Sequence, residues 1–477
     1  MENLKPDRVF KYFEEICAIP HGSGDMEKIS SYCEKFALDN SLEYIRDGAN
    51  NVIIYKPASA GYENAAPVIL QGHLDMVCQK DEGVNIDFEK DGLDIYVDGD
   101  YLKASGTTLG ADNGIAVSMI FAILEDKTLK HPPIEAVLTT DEEIGLIGAG
   151  KLPFDKLSGK KMINMDSEEQ EILTVSCAGG SDFRMTLPVK KEKTEGYAVT
   201  LAVKGLQGGH SGVEIDSGRV NANVLMGRIL NFAKSVCDFD IISVNGGDKG
   251  NAIPYSSVAQ LVIKNPQETA EKINEYAAVI KEEISAREPG FVCEIQVGEC
   301  GEYDVFEKAL QDSIVYALNC TPNGIMEMSA EIDGLVETSL NLGILKTEET
   351  AIVMHYALRS NKKSALKFLE DKMKLFASGV DAAVETFGHY PPWEFKSDSD
   401  MQELYKEKYK EKFGQYPLVQ AIHAGLECGV FADNIPGIDC ISIGPEMHDV
   451  HTSKERLSIS STKNMYELVI KVLEECK

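Results

Sequence analysis

The order of apolar segments predicts an α/β protein: a mainly parallel-sheet domain interrupted by an inserted α+β domain. Three observations carry that expectation. Short apolar strand-like runs alternate with helical patterns in the first part of the chain, as in β-α-β units. The texture then changes to long polar β-type segments and strongly amphipathic helices, and the earlier style returns near the end. With 477 residues, the usual ~100 to 200 residues per domain allows two to four domains, and two fits the changes of texture.

Each element follows from its own residues. Val68–Gln71, Ile134–Thr139 and Lys161–Met165 are apolar runs of strand length. Between the first two lies Ile115–Leu124, apolar all round and therefore a buried crossover helix rather than a surface one. After about Arg184 come Tyr197–Lys204, a polar β-type segment, and Pro266–Arg287, an amphipathic helix. A helix over Lys362–Phe376 and a strand over Ala382–Phe387 close this region at Gly388, before the breaker Pro391-Pro392. Helix Asp400–Phe413 and strand Asp439–Ile443 resume the first style. Residues 1–183 and 389–477 should thus form one discontinuous domain, and 184–388 the inserted one.

Charge excludes several classes of partner. Acidic residues outnumber basic ones by 77 to 47, and a net charge of −30 without a basic patch repels nucleic acid and anionic membranes. Met1–Tyr12 is charged early and lacks an apolar stretch, which argues against a secretory signal. The longest apolar run falls well short of the ~20 residues needed to span a bilayer. The 11 cysteines are odd in number, scattered and free of any C-x-x-C pair, as expected for reduced thiols in a cytoplasmic protein.

The strand ends carry the chemistry. Val68–Gln71 runs into Gly72-His73-Leu74-Asp75, and alternation along an extended chain lets His73 and Asp75 touch. A carboxylate beside an imidazole fixes the tautomer of a metal-binding histidine. By itself His-x-Asp more often marks a structural histidine. Ile134–Thr139 leads into Asp141-Glu142-Glu143, Lys161–Met165 stops at Asp166, and Asp112 sits just before the apolar helix. A lone Asp112 reads as an N-cap and a lone Glu142-Glu143 as a solvated turn. In open α/β sheets, however, the ligand crevice lies at the carboxyl ends of the strands, so these groups converge. Five carboxylates so placed repel one another at a cost of several kcal/mol unless cations compensate. No Lys or Arg accompanies the motifs, which leaves divalent metal. Histidine with carboxylate suits zinc, cobalt or manganese better than calcium. A second imidazole should come from the loop after Asp439–Ile443, where His448 and His451 both qualify and spacing does not choose.

In this order, His73-Leu74-Asp75, Asp112, Glu142-Glu143, Asp166 and His451 resemble the motifs of the M20 family of zinc peptidases. Gly110–Gly114, Gly208-Gly209-His210-Ser211-Gly212 and His423-Ala424-Gly425-Leu426-Glu427 look more particularly like its aminoacyl-histidine dipeptidase branch. The resemblance implies two divalent ions, zinc first and cobalt or manganese as alternatives. Asp112 would bridge them, with His73 and Asp166 on one and Glu143 and His451 on the other. His451 is preferred to His448 because Thr452 and Glu455 follow it as in the family. The catalytic pair would be Glu142, as general base, and Asp75, holding His73. The inserted domain would be a lid that forms a homodimer and supplies His210, Asn251 and Arg359 for substrate binding, with His423 of the first domain as a further substrate-binding residue. His210 would face the developing oxyanion, from its own or a neighbouring subunit, and Asn251 and Arg359 the substrate carboxylate.

These residues together predict cleavage of dipeptides, of the Xaa-His type, by metal-activated water. A tripeptidase, an N-acyl amino acid deacylase or a non-catalytic peptide-binding relative would share the same residues. Motifs of other hydrolases and nucleotide enzymes, H-E-x-x-H, G-x-S-x-G, G-x-x-x-x-G-K-[ST] and G-x-G-x-x-G, do not occur.

Overall fold

Every residue of the strands Val68–His73 and Ile134–Thr139 is buried, as unbroken apolar runs require in a sheet covered on both faces. In the computed structural model, which describes residue 1 and residues 4–477, both lie inside an eight-stranded sheet. Val68–His73 runs parallel to Ile134–Thr139 on one side and to Lys161–Asn164 on the other, and Asp439–Ser442 continues in parallel beyond it. Towards the edges the pairing turns antiparallel, through Val52–Lys56 and Glu43–Arg46 on one flank and Ile172–Cys177 on the other. The parallel part is therefore the central four strands. Their carboxyl ends share one edge of the sheet, and that edge carries the site.

The helix Ala111–Glu125 is buried at Ala111 and from Asn113 to Leu124, as its apolar circumference demands. Phe121 stacks on Phe36 with ring centroids 4.0 Å apart and receives Tyr12 edge-on at 5.6 Å. Burial of one such ring contributes roughly 1.5 to 3 kcal/mol. This packing fixes the helix start, and with it Asp112. Gly72 permits the close approach of strand and helix, because a Cβ there would lie 2.5 Å from Asn113 Oδ1.

Two compact units emerge. One comprises Met1–Cys177, Phe395–Ala421 and Leu426–Lys477, the other Ala178–Glu394 with Ile422–Gly425. The divisions fall at 177/178 and 394/395 rather than at the expected 183/184 and 388/389. Pairing explains the shift: Gly179–Pro188 is hydrogen-bonded along its length to Ala351–Ser360 and carries Ala383–Tyr390 on its other side. Both strands thus belong to the second unit.

The second unit is built on a nine-stranded sheet whose pairings among the described residues are antiparallel, with helices Ala222–Val236, Pro266–Ile284, Lys308–Cys320 and Lys363–Ser378. Along Ala351–Ser360 buried residues alternate with half-buried ones, as in a strand with one face on a core. Phe183, Leu201, Met226, Ile229, Leu261 and Tyr356 are among the side chains of that core. Among the described residues no helix is long and apolar enough to cross a membrane. All 11 cysteines are free thiols, six of them buried.

Candidate metal centre

His73 ends its strand fully buried, with its ring at the carboxyl edge of the sheet. Its Nε2 lies 3.2 Å from Asp112 Oδ1 and 3.3 Å from Asp166 Oδ1. The other oxygen of Asp112, Oδ2, lies 3.1 Å from Nε2 of His451, which is also 2.8 Å from Glu143 Oε1. Asp112 thus presents one oxygen to each imidazole. The five side chains fall into two groups of contacts that meet at Asp112. One donor atom each from His73, Asp112 and Glu143 lies within 4.8 Å of the others, close enough to hold one ion. His73 is 1 % exposed and His451 47 %, so the His451 group is the one that faces solvent. His448 stays outside, 3.6 Å from Glu446.

This donor set fits divalent cations. The charge balance says the same: without metal, the histidines take up the positive charge that the carboxylates require. Contacts with Asp112 and Glu143 hold the His451 imidazole up at about 11. Burial disfavours charge on His73, yet Asp166 and the hydrogen bonds of Asp112 hold it well above its usual value. Burial raises the Asp166 carboxyl to about 6 against the pull of His73. Metal coordination needs neutral imidazole, so binding must expel protons. Histidines raised in the metal-free protein keep those protons through neutral pH, and apparent metal affinity should therefore rise with pH between 6 and 9. Calorimetry of the stripped protein in buffers of different ionisation enthalpy should record proton release on metal binding; uptake, or no exchange, would contradict it.

Several residues hold the candidate ligands in place. Asp75 was expected to orient His73, but its reach is wider. The His73 Nδ1 sits 3.0 Å from the Asp75 main-chain oxygen and 3.5 Å from its carboxylate. That carboxylate accepts the main-chain N–H of Glu142 at 2.9 Å and of Glu143 at 3.2 Å, and the Ser23 hydroxyl at 2.8 Å. Asp75 therefore sets the acidic turn as well as the ring. Asn113 and Glu455 had not been singled out as supports. Asn113 accepts the His73 N–H through Oδ1 at 3.2 Å and donates to the Met165 carbonyl at 2.9 Å, which ties together the residues beside three ligands. Glu455 accepts four consecutive main-chain N–H groups, those of Leu109, Gly110, Ala111 and Asp112, at 2.7 to 3.3 Å.

Glu142 is part-buried beside this cluster. Burial, with Asp166, Glu427 and Glu143 nearby, pushes its carboxyl well above the usual range, while His73 opposes the shift. A carboxyl held above its usual range keeps a proton more readily than an ordinary glutamate, which suits a general base that must also return it.

The second unit gathers the remaining candidates. Arg359 is buried and donates to the Tyr390 hydroxyl at 2.8 Å, but its Nε has no partner and no carboxylate pairs with it among the described residues. With Asn251, Tyr390, Ser181, Asp182 and His355 it lines a cavity of about 380 Å³. The His210 Nδ1 accepts the N–H groups of Gly212 and Val213, each at 3.2 Å, so the ring proton sits on Nε2 as a donor. Burial and the charge of Arg359 lower the His210 pKa, which keeps the ring neutral. His423 does not join this group as a ligand-binding ring. Its Nε2 meets the Ser339 hydroxyl at 2.7 Å and its Nδ1 the Asn361 amide oxygen at 3.2 Å, so both nitrogens are already taken.

Two imidazoles and three carboxylates gathered at the edge of a parallel sheet fit one class of protein, a metal-dependent hydrolase. Comparison narrows this further. The chain belongs to peptidase family M20/M25/M40, whose profile matches residues 69–475. It is 36% identical to the cytosol non-specific dipeptidase of Escherichia coli (strain K12), over 100% of this chain and 99% of that protein. The crystal structure of an aminoacylhistidine dipeptidase from Vibrio alginolyticus matches with a TM-score of 0.91 at 37% identity, covering 99% of this chain and 97% of that one. An aminopeptidase PepT from Bacillus cereus shares the fold, with a TM-score of 0.58 at 16% identity over 99% of both chains.

Proposed function

We propose that this protein is a cytoplasmic two-metal dipeptidase that hydrolyses the peptide bond of dipeptides with free termini, Xaa-His dipeptides among them. The observation that carries this reading is Asp112 offering one carboxylate oxygen to each of two imidazole half-sites. His73, Asp112 and Asp166 would hold one ion and Asp112, Glu143 and His451 the other, with zinc favoured by the donors and cobalt or manganese also compatible. When bound, such ions supply Lewis acidity and water that ionises near neutral pH. The rest is the work of the chain. Glu142, placed by Asp75 through its main-chain N–H, takes the water proton and returns it to the leaving amine. His210 offers its Nε2 proton to the oxygen where negative charge develops.

Arg359 grips the substrate carboxylate, with Asn251 beside it. The support is physical: a buried guanidinium without an acidic partner calls for an anion. His423, with both nitrogens bonded, is a structural part of the same unit. On the helix Lys363–Ser378 of that unit, Phe368 and Leu375 stand two turns apart, 71% and 75% exposed, which supports the homodimer expected through it. The relatives' names support the substrate class and the cytoplasmic location.

Stripped enzyme reloaded with Zn²⁺, Co²⁺ or Mn²⁺ and offered a substrate panel tests the reading. Dipeptides, including Xaa-His, should be cleaved in preference to tripeptides and N-acyl amino acids. Amidating the dipeptide carboxylate should lower kcat/KM about 10- to 100-fold, the worth of charge-assisted hydrogen bonds of about 1.5 to 3 kcal/mol. Preference for tripeptides or N-acyl amino acids would replace this reading with one of those activities, and a metal-loaded protein inert on all of them would make the chain a binding protein.

A further inference from the structure

Beneath the metal ligands lies a knot of polar side chains that the hydrolytic mechanism leaves unused. Glu427 begins the helix Glu427–Asn434 and is wholly buried, as are Gln71, Thr139 and Asn164. One oxygen of Glu427, Oε2, accepts the Thr139 hydroxyl at 2.6 Å and the Gln71 amide N–H; the Gln71 amide oxygen in turn accepts the Asn164 amide N–H. The positions of the three partners matter. Gln71 is two residues before His73, Asn164 two before Asp166, and Thr139 ends the strand that leads to Glu142 and Glu143. In the sheet Gln71 lies directly opposite Asn164, and His73 opposite Thr139.

Two acceptors in this network have no donor among the described residues, Glu427 Oε1 and Asn164 Oδ1. A buried carboxylate with an idle oxygen and no directly paired cation costs several kcal/mol. A proton on Oε1 removes that charge. Burial, reinforced by Asp166 and Asp75, pushes the Glu427 carboxyl up to about 8, against His73 and the Thr139 hydroxyl.

We infer that Glu427 is a positioning residue which, as a neutral carboxylic acid, holds Thr139 and Gln71 directly and Asn164 through Gln71, and so links the three strands whose ends lead to His73, Glu143 and Asp166. A neutral acid adds no sixth negative charge to the centre. It acts on the metal only through the placement of the strands, much as outer-layer hydrogen bonds tune a metal ligand.

Glu427→Gln, Glu427→Leu and Thr139→Val decide the matter, read by circular dichroism, by calorimetric Mn²⁺ and Zn²⁺ affinity of the stripped full chain, and by kcat and KM separately. Gln keeps a donor and an acceptor without charge, and should match the wild type in metal affinity and kcat. Leu should fold yet bind metal about 10- to 100-fold more weakly, with kcat lowered and KM little changed. If the Leu variant fails to fold, Thr139→Val, which deletes one hydrogen bond to the same oxygen, should show the smaller loss of affinity. Wild-type affinity in a folded Leu variant, or in the Val variant when Leu does not fold, would end the positioning role. A Gln variant as impaired as Leu would show that negative charge, not a neutral acid, is required. These readouts are metal affinity and rescue, so they stand apart from the substrate panel: an enzyme that cleaved other amides would leave them unchanged.

Discussion

Glu142→Gln is expected to bind its metals like the wild type and to lose almost all turnover, by a factor of about 10² to 10⁴ in kcat, the usual worth of positioned proton transfer. The reasoning starts from the turn. Asp75 fixes the Glu142 main chain, and the carboxyl projects into surroundings that hold it above the usual carboxylate range. Glutamine retains shape and hydrogen bonding but cannot carry the proton. Because the metal positions are assigned to His73, Asp112, Glu143, Asp166 and His451, removing the Glu142 charge should leave metal content intact. Metal analysis and steady-state kinetics on one preparation check both halves. Near-normal kcat would remove Glu142 from the base role, and loss of metal would make it a ligand instead.

Asp112→Asn should be as damaging by another route. An amide has one oxygen, and its NH₂ group does not coordinate metal, so one half-site loses its shared donor whichever way the amide turns. Each half-site has two further protein donors, His73 with Asp166 and His451 with Glu143. The expected result is a folded protein with fewer than two ions per chain and activity reduced more than about 100-fold, beyond what loss of an outer-layer partner causes. A fully loaded, active Asp112→Asn enzyme would refute the bridging arrangement.

Much of this was legible in the sequence because the central strands are apolar runs that only a doubly covered sheet accommodates. Once Val68–His73, Ile134–Thr139 and Lys161–Asn164 are strands, chain direction alone delivers His73, Glu143 and Asp166 to one edge. The choice between His448 and His451 was not legible from spacing. His448 sits in a short strand paired with Arg456, while left-handed conformations at Asp449 and His451 reverse the chain and turn the second imidazole back. Such conformations at non-glycine residues leave little mark in a sequence.

The hydrogen bonds of His423 were hidden for a related reason. Its sequence neighbourhood resembles a ligand-binding loop, but its partners Ser339 and Asn361 lie far away along the chain, and no local pattern reveals them. Glu427 entered the sequence reading only as the end of the motif His423-Ala424-Gly425-Leu426-Glu427, and only the fold shows its burial against Thr139 and Gln71. The second unit's first strand was placed too late, because Ser181, Asp182, Arg184 and Thr186 break the apolar texture that marks the earlier strands.

The carboxylate of Glu455 closes over the backbone of Leu109–Asp112, and the whole second unit is encoded between them. A ribosome therefore releases His73, Asp112, Glu143 and Asp166 long before it makes the two residues that complete their arrangement. During synthesis the four early ligands can attract a stray ion but lack the fourth-quarter histidine and the clasp that aligns them. On the proposed assignment, a chain ended before residue 451 lacks both His451 and Glu455 and is expected to cleave no dipeptide.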